Sequence, residues 1–204
     1  MGLWDVQFGK MALGQRILTI KTEQELSASN AMASKERPIE RKRNMPKQND
    51  KKQEGSQSVE DLIKALNEDL AREYQAIIAY IVYSNVLSGA KWMQIAAELK
   101  KHAAEELQHA LIIADQIDYL GGMPTASPKE VKLSDKAEEM LRFDLDNETE
   151  TIRNYRTRVK QAEALGHYAL AEQLRKIISQ EQEHQHDLAT ALGIDVPNVL
   201  PQGA

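Results

Sequence analysis

Cysteine is absent from the 204 residues of this chain. Its absence excludes disulfides, thiolate zinc sites and iron–sulfur clusters, so any metal site must be built from Glu, Asp and His. Aromatic residues make up only 5% and Val or Thr runs are few, which favours helices over strands. No apolar run approaches the roughly 18–20 residues of a membrane span, and no secretory h-region is recognisable near the start. These features predict a soluble, cytoplasmic helical protein without a membrane segment.

The net charge of −5 is unevenly distributed. Residues 1–57 contain 11 Lys and Arg against 7 Asp and Glu, a surplus of +4, so the remaining residues carry −9. The stretch 33–57 is rich in Lys, Arg, Gln and Asn and shows no apolar period, which is typical of disorder. We therefore predict a disordered N-terminal extension over 1–57, a folded domain over 58–193 and a short C-terminal tail over 194–204.

Four helices are predicted between residues 58 and 193. Ser58 and Asp61 form a capping-box pattern, and leucines follow at helical spacing. Glycines, rather than prolines, divide the domain into helices at roughly 58–87, 91–120, 134–165 and 167–192. The first and last connections are short, whereas the middle one contains both prolines of this region and is longer. The pattern predicts an all-α fold, an antiparallel four-helix bundle with one long crossover between helices 2 and 3.

The two predicted hairpins repeat one another. Helices 1 and 3 each carry a Glu followed seven residues later by a Tyr, and helices 2 and 4 each carry Glu-x-x-His. The spacing between the two glutamates of a hairpin is 33 residues in both halves, and the halves are shifted by 75 residues. The repeated residues are Glu73, Tyr80, Glu106 and His109 in the first half, and Glu148, Tyr155, Glu181 and His184 in the second.

All four repeated glutamates fall in the middle of an apolar helix stripe. At about 100° per residue, each lies close to the leucines, isoleucines and tyrosines that should face the core. Four uncompensated buried anions would each cost several kcal/mol. Two divalent ions would balance the four charges, and carboxylate oxygens with one imidazole per metal suit Fe(II) or Mn(II). A single Glu-x-x-His is usually a solvated surface pattern, and it is the repetition that predicts a di-metal site.

Other candidate residues have weaker patterns. Tyr80 could be a core aromatic, or it could donate an electron or a hydrogen bond at the metals. Tyr155 and Trp92 are expected to be core residues. His102 and His186 fall outside the repeat and are predicted to lie on the surface, and His167 is predicted to begin a helix.

On these residues the chain resembles the bacterioferritins. The resemblance covers about 59–192 and includes Leu-Asn-x-x-Leu-x-x-Glu73, the Tyr80 position, both Glu-x-x-His motifs, Gly-Gly-Met-Pro in the crossover and Glu-Glu-Met-Leu before Glu148. It implies a ferritin-like bundle with a ferroxidase centre holding two iron ions per subunit. The reaction implied is oxidation of Fe(II) by dioxygen or peroxide, followed by storage of a ferric mineral in a hollow homo-oligomer. The implied site residues are Glu73, Tyr80, Glu106, His109, Glu148, Glu181 and His184; the sequence leaves open which two carboxylates bridge the metals.

Three features depart from the bacterioferritin pattern. Leu107 stands where the family supplies the haem-ligating Met, which argues against haem. The tail contains Pro197 and Pro201 and cannot form a short fifth helix, which favours a smaller shell or a dimer over a 24-subunit cage. The N-terminal extension has no counterpart in the pattern.

Two other functions remain open from the sequence. A di-iron oxidase or peroxidase that stores no iron could use the same ligands. A DNA-associated protective mini-ferritin could use the basic runs at 41–43 and 51–52 to neutralise phosphates. A solubilising tail is the commoner explanation for such runs, and mini-ferritins usually place the iron site between subunits.

Overall fold

The computed structural model describes residues 58–200. It contains α1 (Val59–Val86), a 3-10 turn (Ala90–Trp92), α2 (Met93–Tyr119), α3 (Ala137–Ala164) and α4 (Tyr168–Leu192), with no strand in this part of the chain. The predicted all-α class and the four helices are confirmed, with boundaries that differ by at most three residues. The predicted disorder of 1–57, the basic runs within it and residues 201–204 lie outside the described residues.

The helix ends follow from local sequence. Ser58 caps α1, because its Oγ accepts a hydrogen bond from the backbone N–H of Asp61 at 3.1 Å while the Asp61 carboxylate accepts one from the Ser58 N–H at 3.2 Å. His167 is the N-cap residue of α4, as predicted. Gly193 ends α4 at φ 68°, in the left-handed region where a Cβ would be unfavourable.

The crossover between α2 and α3 lies along α1. Three polar side chains of α1 contact its backbone: the Asn67 amide donates to the carbonyl oxygen of Met123 at 3.2 Å, Gln75 donates to that of Glu130, and the Tyr83 hydroxyl donates to that of Lys132. Gly122 sits so close to α1 and α2 that an added Cβ would come within 2.6 Å of an Ile63 methyl carbon. The long connection therefore has a defined path on the bundle.

Each helix packs against two others, with α1 against α2 and α3, and α4 against α3 and α2. The buried apolar residues form two clusters. One includes Leu66, Ile113 and Leu174, and the other includes Leu99, Leu141 and Leu188. On every helix the repeated Glu lies in sequence between residues of the two clusters. The helices consequently place a polar layer between two apolar halves of the core.

Residues 194–200 form no helix and lie against α3 and α4. An Arg153 guanidinium nitrogen donates to the carbonyl oxygen of Asn198 at 2.7 Å, and the Gln185 amide donates to that of Pro197 at 3.2 Å.

Among the residues that the structure describes, no helix is long and apolar enough to cross a bilayer.

Candidate metal centre

The six predicted ligands converge in the polar layer between the two apolar clusters. None of their side chains is more than 3% exposed. Their donor atoms form two groups, and within each group the atoms lie no more than 4.8 Å apart. One group is Glu73, Glu106, His109 and Glu181, and the other is Glu106, Glu148, Glu181 and His184.

Glu106 and Glu181 belong to both groups. Glu106 places one oxygen 3.0 Å from Nδ1 of His109 and the other 2.8 Å from Nδ1 of His184. The two oxygens of Glu181 lie 3.1 Å and 3.5 Å from the same two nitrogens. Each of these carboxylates therefore spans the two imidazoles, whereas Glu73 and Glu148 belong to one group each. Glu106 and Glu181 are therefore the two carboxylates that lie within reach of both imidazoles.

The outer nitrogens of both histidines are held by neighbouring side chains. Nε2 of His109 is 3.0 Å from the Gln180 amide oxygen, and Nε2 of His184 is 2.8 Å from a Glu105 carboxylate oxygen. Both partners are acceptors, so each Nε2 carries the proton and Nδ1 faces the four glutamates. Hydrogen bonds of this kind fix the ring orientation of metal-binding histidines.

Two tyrosines complete the layer. The Tyr80 hydroxyl donates to Glu148, and the Tyr155 hydroxyl donates to Glu73, so each contacts a carboxylate that the groups do not share. Tyr155 was predicted to be a core residue and is buried, but its contact with Glu73 was missed. The 75-residue repeat, which relates Tyr155 to Tyr80, was the signal that could have revealed it. Trp92 packs in an apolar cluster, as predicted.

His102 is not on the surface, and its predicted exposure is wrong. Its side chain is 3% exposed, and its ring stacks on that of His184 with centroids 4.0 Å apart. His102 lies four residues before Glu106, about 40° from it around α2, so the helical period already indicated the buried face. His186 is exposed, as predicted.

The charges of the layer compensate one another only in part. Burial, with repulsion from Glu106 and Glu181, raises the pKa of Glu73 and that of Glu148 well above the usual range. Burial alone would lower the histidine pKa values, but the close approach of the Glu106 and Glu181 carboxylates outweighs it and raises that of His184 to about 12. Without metal, protons therefore have to take the place of cations in this layer.

Several buried donor atoms of the layer have no hydrogen-bond partner, which bears on whether cations fit there. Five carboxylate oxygens of the layer, together with Nδ1 of His184, are buried without a hydrogen-bond partner. Buried polar atoms are normally satisfied, and orphaned oxygens and an orphaned imidazole nitrogen that point at one another are suited to cation binding. These residues fit a pair of divalent ions. The five oxygens come from Glu73, Glu106, Glu148 and both positions of Glu181.

Comparison with known proteins agrees with this geometry. The sequence model of the ferritin-like domain matches residues 63–195. A bacterioferritin of Desulfovibrio desulfuricans is 31% identical over 124 residues, which cover 60% of this chain and 69% of that protein. A bacterioferritin of Streptomyces coelicolor is 26% identical over 135 residues, which cover 66% of this chain and 81% of its relative.

Solved structures give the same result. A ferritin-like, diiron-carboxylate protein of Bacillus anthracis is similar with a TM-score of 0.65 and 37% identity, covering 67% of this chain and 99% of that one. A dodecameric thioferritin of Bacteroides fragilis, described as bacterioferritin-related, has a TM-score of 0.62 and 28% identity, covering 68% and 88%. Because the family match spans more than half of the chain and the bundle agrees, this protein belongs to the ferritin-like domain family.

Proposed function

We propose that this protein is a ferroxidase, which oxidises Fe(II) with dioxygen or peroxide for iron storage or detoxification. The observation that carries the proposal is the sharing of Glu106 and Glu181 by the two donor groups. Shared carboxylates hold two metal ions close together, at the roughly 3.5–4 Å separation of two-metal centres. A site of this kind suits a reaction that needs two electrons at once.

Each ligand has a distinct role in this proposal. Glu106 and Glu181 would bridge the pair, Glu73 and His109 would complete one position, and Glu148 and His184 would complete the other. Each position then has three carboxylates and one imidazole, which fits iron or manganese better than a softer metal.

The bound pair supplies the redox chemistry. Oxidation of two Fe(II) ions releases two electrons, and with two protons these reduce dioxygen to hydrogen peroxide, or peroxide to two waters. The protein contributes a dry layer, because the six ligands are almost fully buried and apolar clusters lie on both sides. The Tyr80 and Tyr155 hydroxyls hold the two unshared carboxylates in place, and Tyr80 also remains a candidate electron donor.

We propose further that the chain assembles as a hollow homo-oligomer that retains ferric mineral. Support comes from the bacterioferritin relatives and from the Bacteroides fragilis relative, which is a dodecamer. The dodecameric relative favours a shell smaller than 24 subunits. A diiron oxidase or peroxidase that stores no iron would use the same ligands and differs in assembly and iron content.

Iron loading and size separation test this proposal in one experiment. Purified apoprotein receives Fe(II) without oxygen, is then exposed to oxygen or peroxide, and passes through size exclusion with iron analysis of each fraction. The double variant Glu106→Ala/Glu181→Ala removes both shared carboxylates. The matched control, Glu172→Ala/Glu183→Ala, removes two exposed carboxylates of α4.

Storage requires a large assembly with far more than two irons per chain, and the rate of oxidation should collapse in the shared-carboxylate variant but not in the control. A small species with about two irons per chain would keep the di-metal site and assign the protein to redox catalysis without storage. If the variant oxidises Fe(II) as fast as the wild type, the ferroxidase proposal is wrong.

A further inference from the structure

A separate cluster of metal-binding side chains lies beside the carboxylate layer. It consists of Glu98 and His102 on α2 and Asp187 on α4, whose donor atoms lie within 4.8 Å of one another. Nε2 of His102 is 3.4 Å from a carboxylate oxygen of Asp187, and Nδ1 of the same buried ring has no hydrogen-bond partner. Buried polar groups are normally hydrogen-bonded at shorter distances, so this imidazole lacks a good partner.

The internal repeat shows that packing does not require a histidine at this position. Residue 177 is the counterpart of His102 in the second half, and it is Ile177, a fully buried member of an apolar cluster. Glu98 has Gln173 as its counterpart. The bundle therefore fills the equivalent place on the other side with an aliphatic side chain, and the imidazole with its carboxylates is a feature of one side alone.

The charge around His102 is suited to a divalent cation. Glu98 and Asp187 are about one-third and two-fifths exposed, and Glu105 nearby holds His184. Lys101 is ion-paired with one oxygen of Glu98 at 2.6 Å. Three carboxylates against one ammonium leave two negative charges, which one divalent ion would neutralise. One imidazole with two carboxylates is also a donor set that first-row divalent metals accept.

The cluster connects the carboxylate layer with the protein surface. The His102 ring stacks on His184 at an angle of 28°, so only one ring separates a cation at the cluster from the inner ligands. On the other side, a surface recess of about 260 Å³ is lined by Glu98 and Asp187, together with Gln94 and Thr190. An ion arriving from solvent would meet the two carboxylates first.

We propose that Glu98, His102 and Asp187 form a third divalent-cation site, at which Fe(II) binds before it passes His184 to the carboxylate layer. The site itself stands on its own geometry. Its role in delivering Fe(II) rests on the proposed function, because it assumes that Fe(II) is the substrate of the inner pair.

Zinc binding to the metal-free full-length chain tests the third site. Zn(II) undergoes no redox reaction, so its stoichiometry can be measured by titration calorimetry and its positions by anomalous diffraction. Two variants remove the cluster in different ways: Glu98→Gln/Asp187→Asn neutralises its carboxylates, and His102→Ile copies the residue of the other half. Glu172→Gln/Glu183→Gln is the control for loss of two exposed charges, and Glu106→Ala/Glu181→Ala removes the inner pair.

We expect three zinc ions per chain in the wild type and the control, two in both cluster variants, and one in the inner-pair variant. Two ions in the wild type, or three in the cluster variants, would overturn the third site. An inner-pair variant that still binds three ions would instead contradict the di-metal proposal and leave the third site intact, so the two failures are distinguishable.

The delivery role has its own measurement. The initial rate of Fe(II) oxidation, measured against Fe(II) concentration, should show KM raised by roughly tenfold in the cluster variants with a smaller effect on kcat. A fall in kcat at unchanged KM would overturn delivery, because the cluster would then affect the chemistry and not the capture of the ion.

Discussion

The carboxylate of Glu105 accepts a hydrogen bond from Nε2 of His184 at 2.8 Å, whereas the equivalent nitrogen of His109 donates to the neutral amide of Gln180. Glu105 and Gln180 are themselves 75 residues apart, so they occupy equivalent positions in the two halves. The inner ligands are the same in both halves, but the charge behind each imidazole differs. The two metal positions are consequently expected to differ in affinity.

The variant Glu105→Gln should make the two halves alike. A carboxylate behind an imidazole increases its basicity as a ligand, and removing such a partner costs about 10–100-fold in metal affinity. We expect the tighter of the two inner Zn(II) affinities to fall by roughly tenfold, as measured by calorimetry. The reciprocal variant Gln180→Glu should strengthen the position at His109. Unchanged affinities in both variants would show that the charge difference has no effect on the metals.

The tyrosine hydroxyls are expected to position the unshared carboxylates. Tyr80→Phe would release Glu148, and Tyr155→Phe would release Glu73, each with the loss of a buried hydrogen bond to a charged group, which contributes about 1.5–3 kcal/mol. Because the two contacts are equivalent, each variant should slow Fe(II) oxidation by roughly tenfold. Stopped-flow absorbance measures the rates.

A different result would distinguish the second role of Tyr80. If Tyr80→Phe alone is slow, and a tyrosyl radical signal of the wild type disappears with it, Tyr80 donates an electron and does more than position Glu148. The Tyr155→Phe variant is the matched control, because it removes the same group from the equivalent place.

Much of this site could be predicted from the sequence, because the helical period and the 75-residue repeat point to the same residues. The helical period placed the repeated glutamates on the apolar faces, and the 75-residue repeat related Glu73 to Glu148 and Glu106 to Glu181. The structure brought all six predicted ligands together. The helix boundaries could also be predicted from the sequence, because Gly and Pro end helices through local conformational preferences.

What the sequence did not predict depends on the packing of helices against one another. His102 could be assigned to the buried face of α2, but its stacking on His184 depends on how α2 and α4 are rotated about their axes. The same is true of the sharing of Glu106 and Glu181, because spacing along one helix says nothing about which oxygens reach across the bundle. The contact of Tyr155 with Glu73 was not predicted, because the expected burial of a tyrosine does not reveal the partner of its hydroxyl.

The buried carboxylates should make the metal-free protein less stable than its apolar packing allows. Glu148→Gln removes a carboxyl group that the folded apoprotein must either bury as an anion or protonate, and it keeps an oxygen that can accept the hydrogen bond of Tyr80. We expect the free energy of unfolding of the apoprotein to rise by about 1–3 kcal/mol, because buried charges without full compensation are destabilising. Urea titration with and without Zn(II) measures both states.

With Zn(II) bound, we expect the wild type to have a higher free energy of unfolding than Glu148→Gln. The variant has lost a ligand, so bound metal should stabilise it less than it stabilises the wild type. If Glu148→Gln lowers the stability of the metal-free protein, the carboxylate contributes to folding and the layer is not a strained site held for metal. Exposed Asp146→Asn, on the same helix, should change neither state by more than about 0.5 kcal/mol.

Asp69 provides a pH dependence that does not involve the candidate ligands. Burial raises the pKa of this carboxyl to about 6, although Arg158, whose Nε lies 2.7 Å away, opposes the shift. The folded state therefore holds this proton more tightly than the unfolded chain, so the contribution is present at low pH and is lost as pH rises through about 6. The titration of Asp69 should therefore make the free energy of unfolding about 2 kcal/mol lower at pH 7 than at pH 4.

The variant Asp69→Asn should remove this part of the pH profile. Because the substitution also removes the ionic partner of Arg158 above pH 6, the informative quantity is the difference between pH 4 and pH 7, obtained from urea titrations of metal-free protein. The change in the free energy of unfolding from pH 4 to pH 7 should be about 2 kcal/mol more positive in the variant than in the wild type. Asp146→Asn, which changes an exposed carboxylate of α3, should give a profile parallel to the wild type. Parallel profiles for Asp69→Asn would mean that Asp69 is ionised in the folded protein at acidic pH and that Arg158 compensates its burial completely.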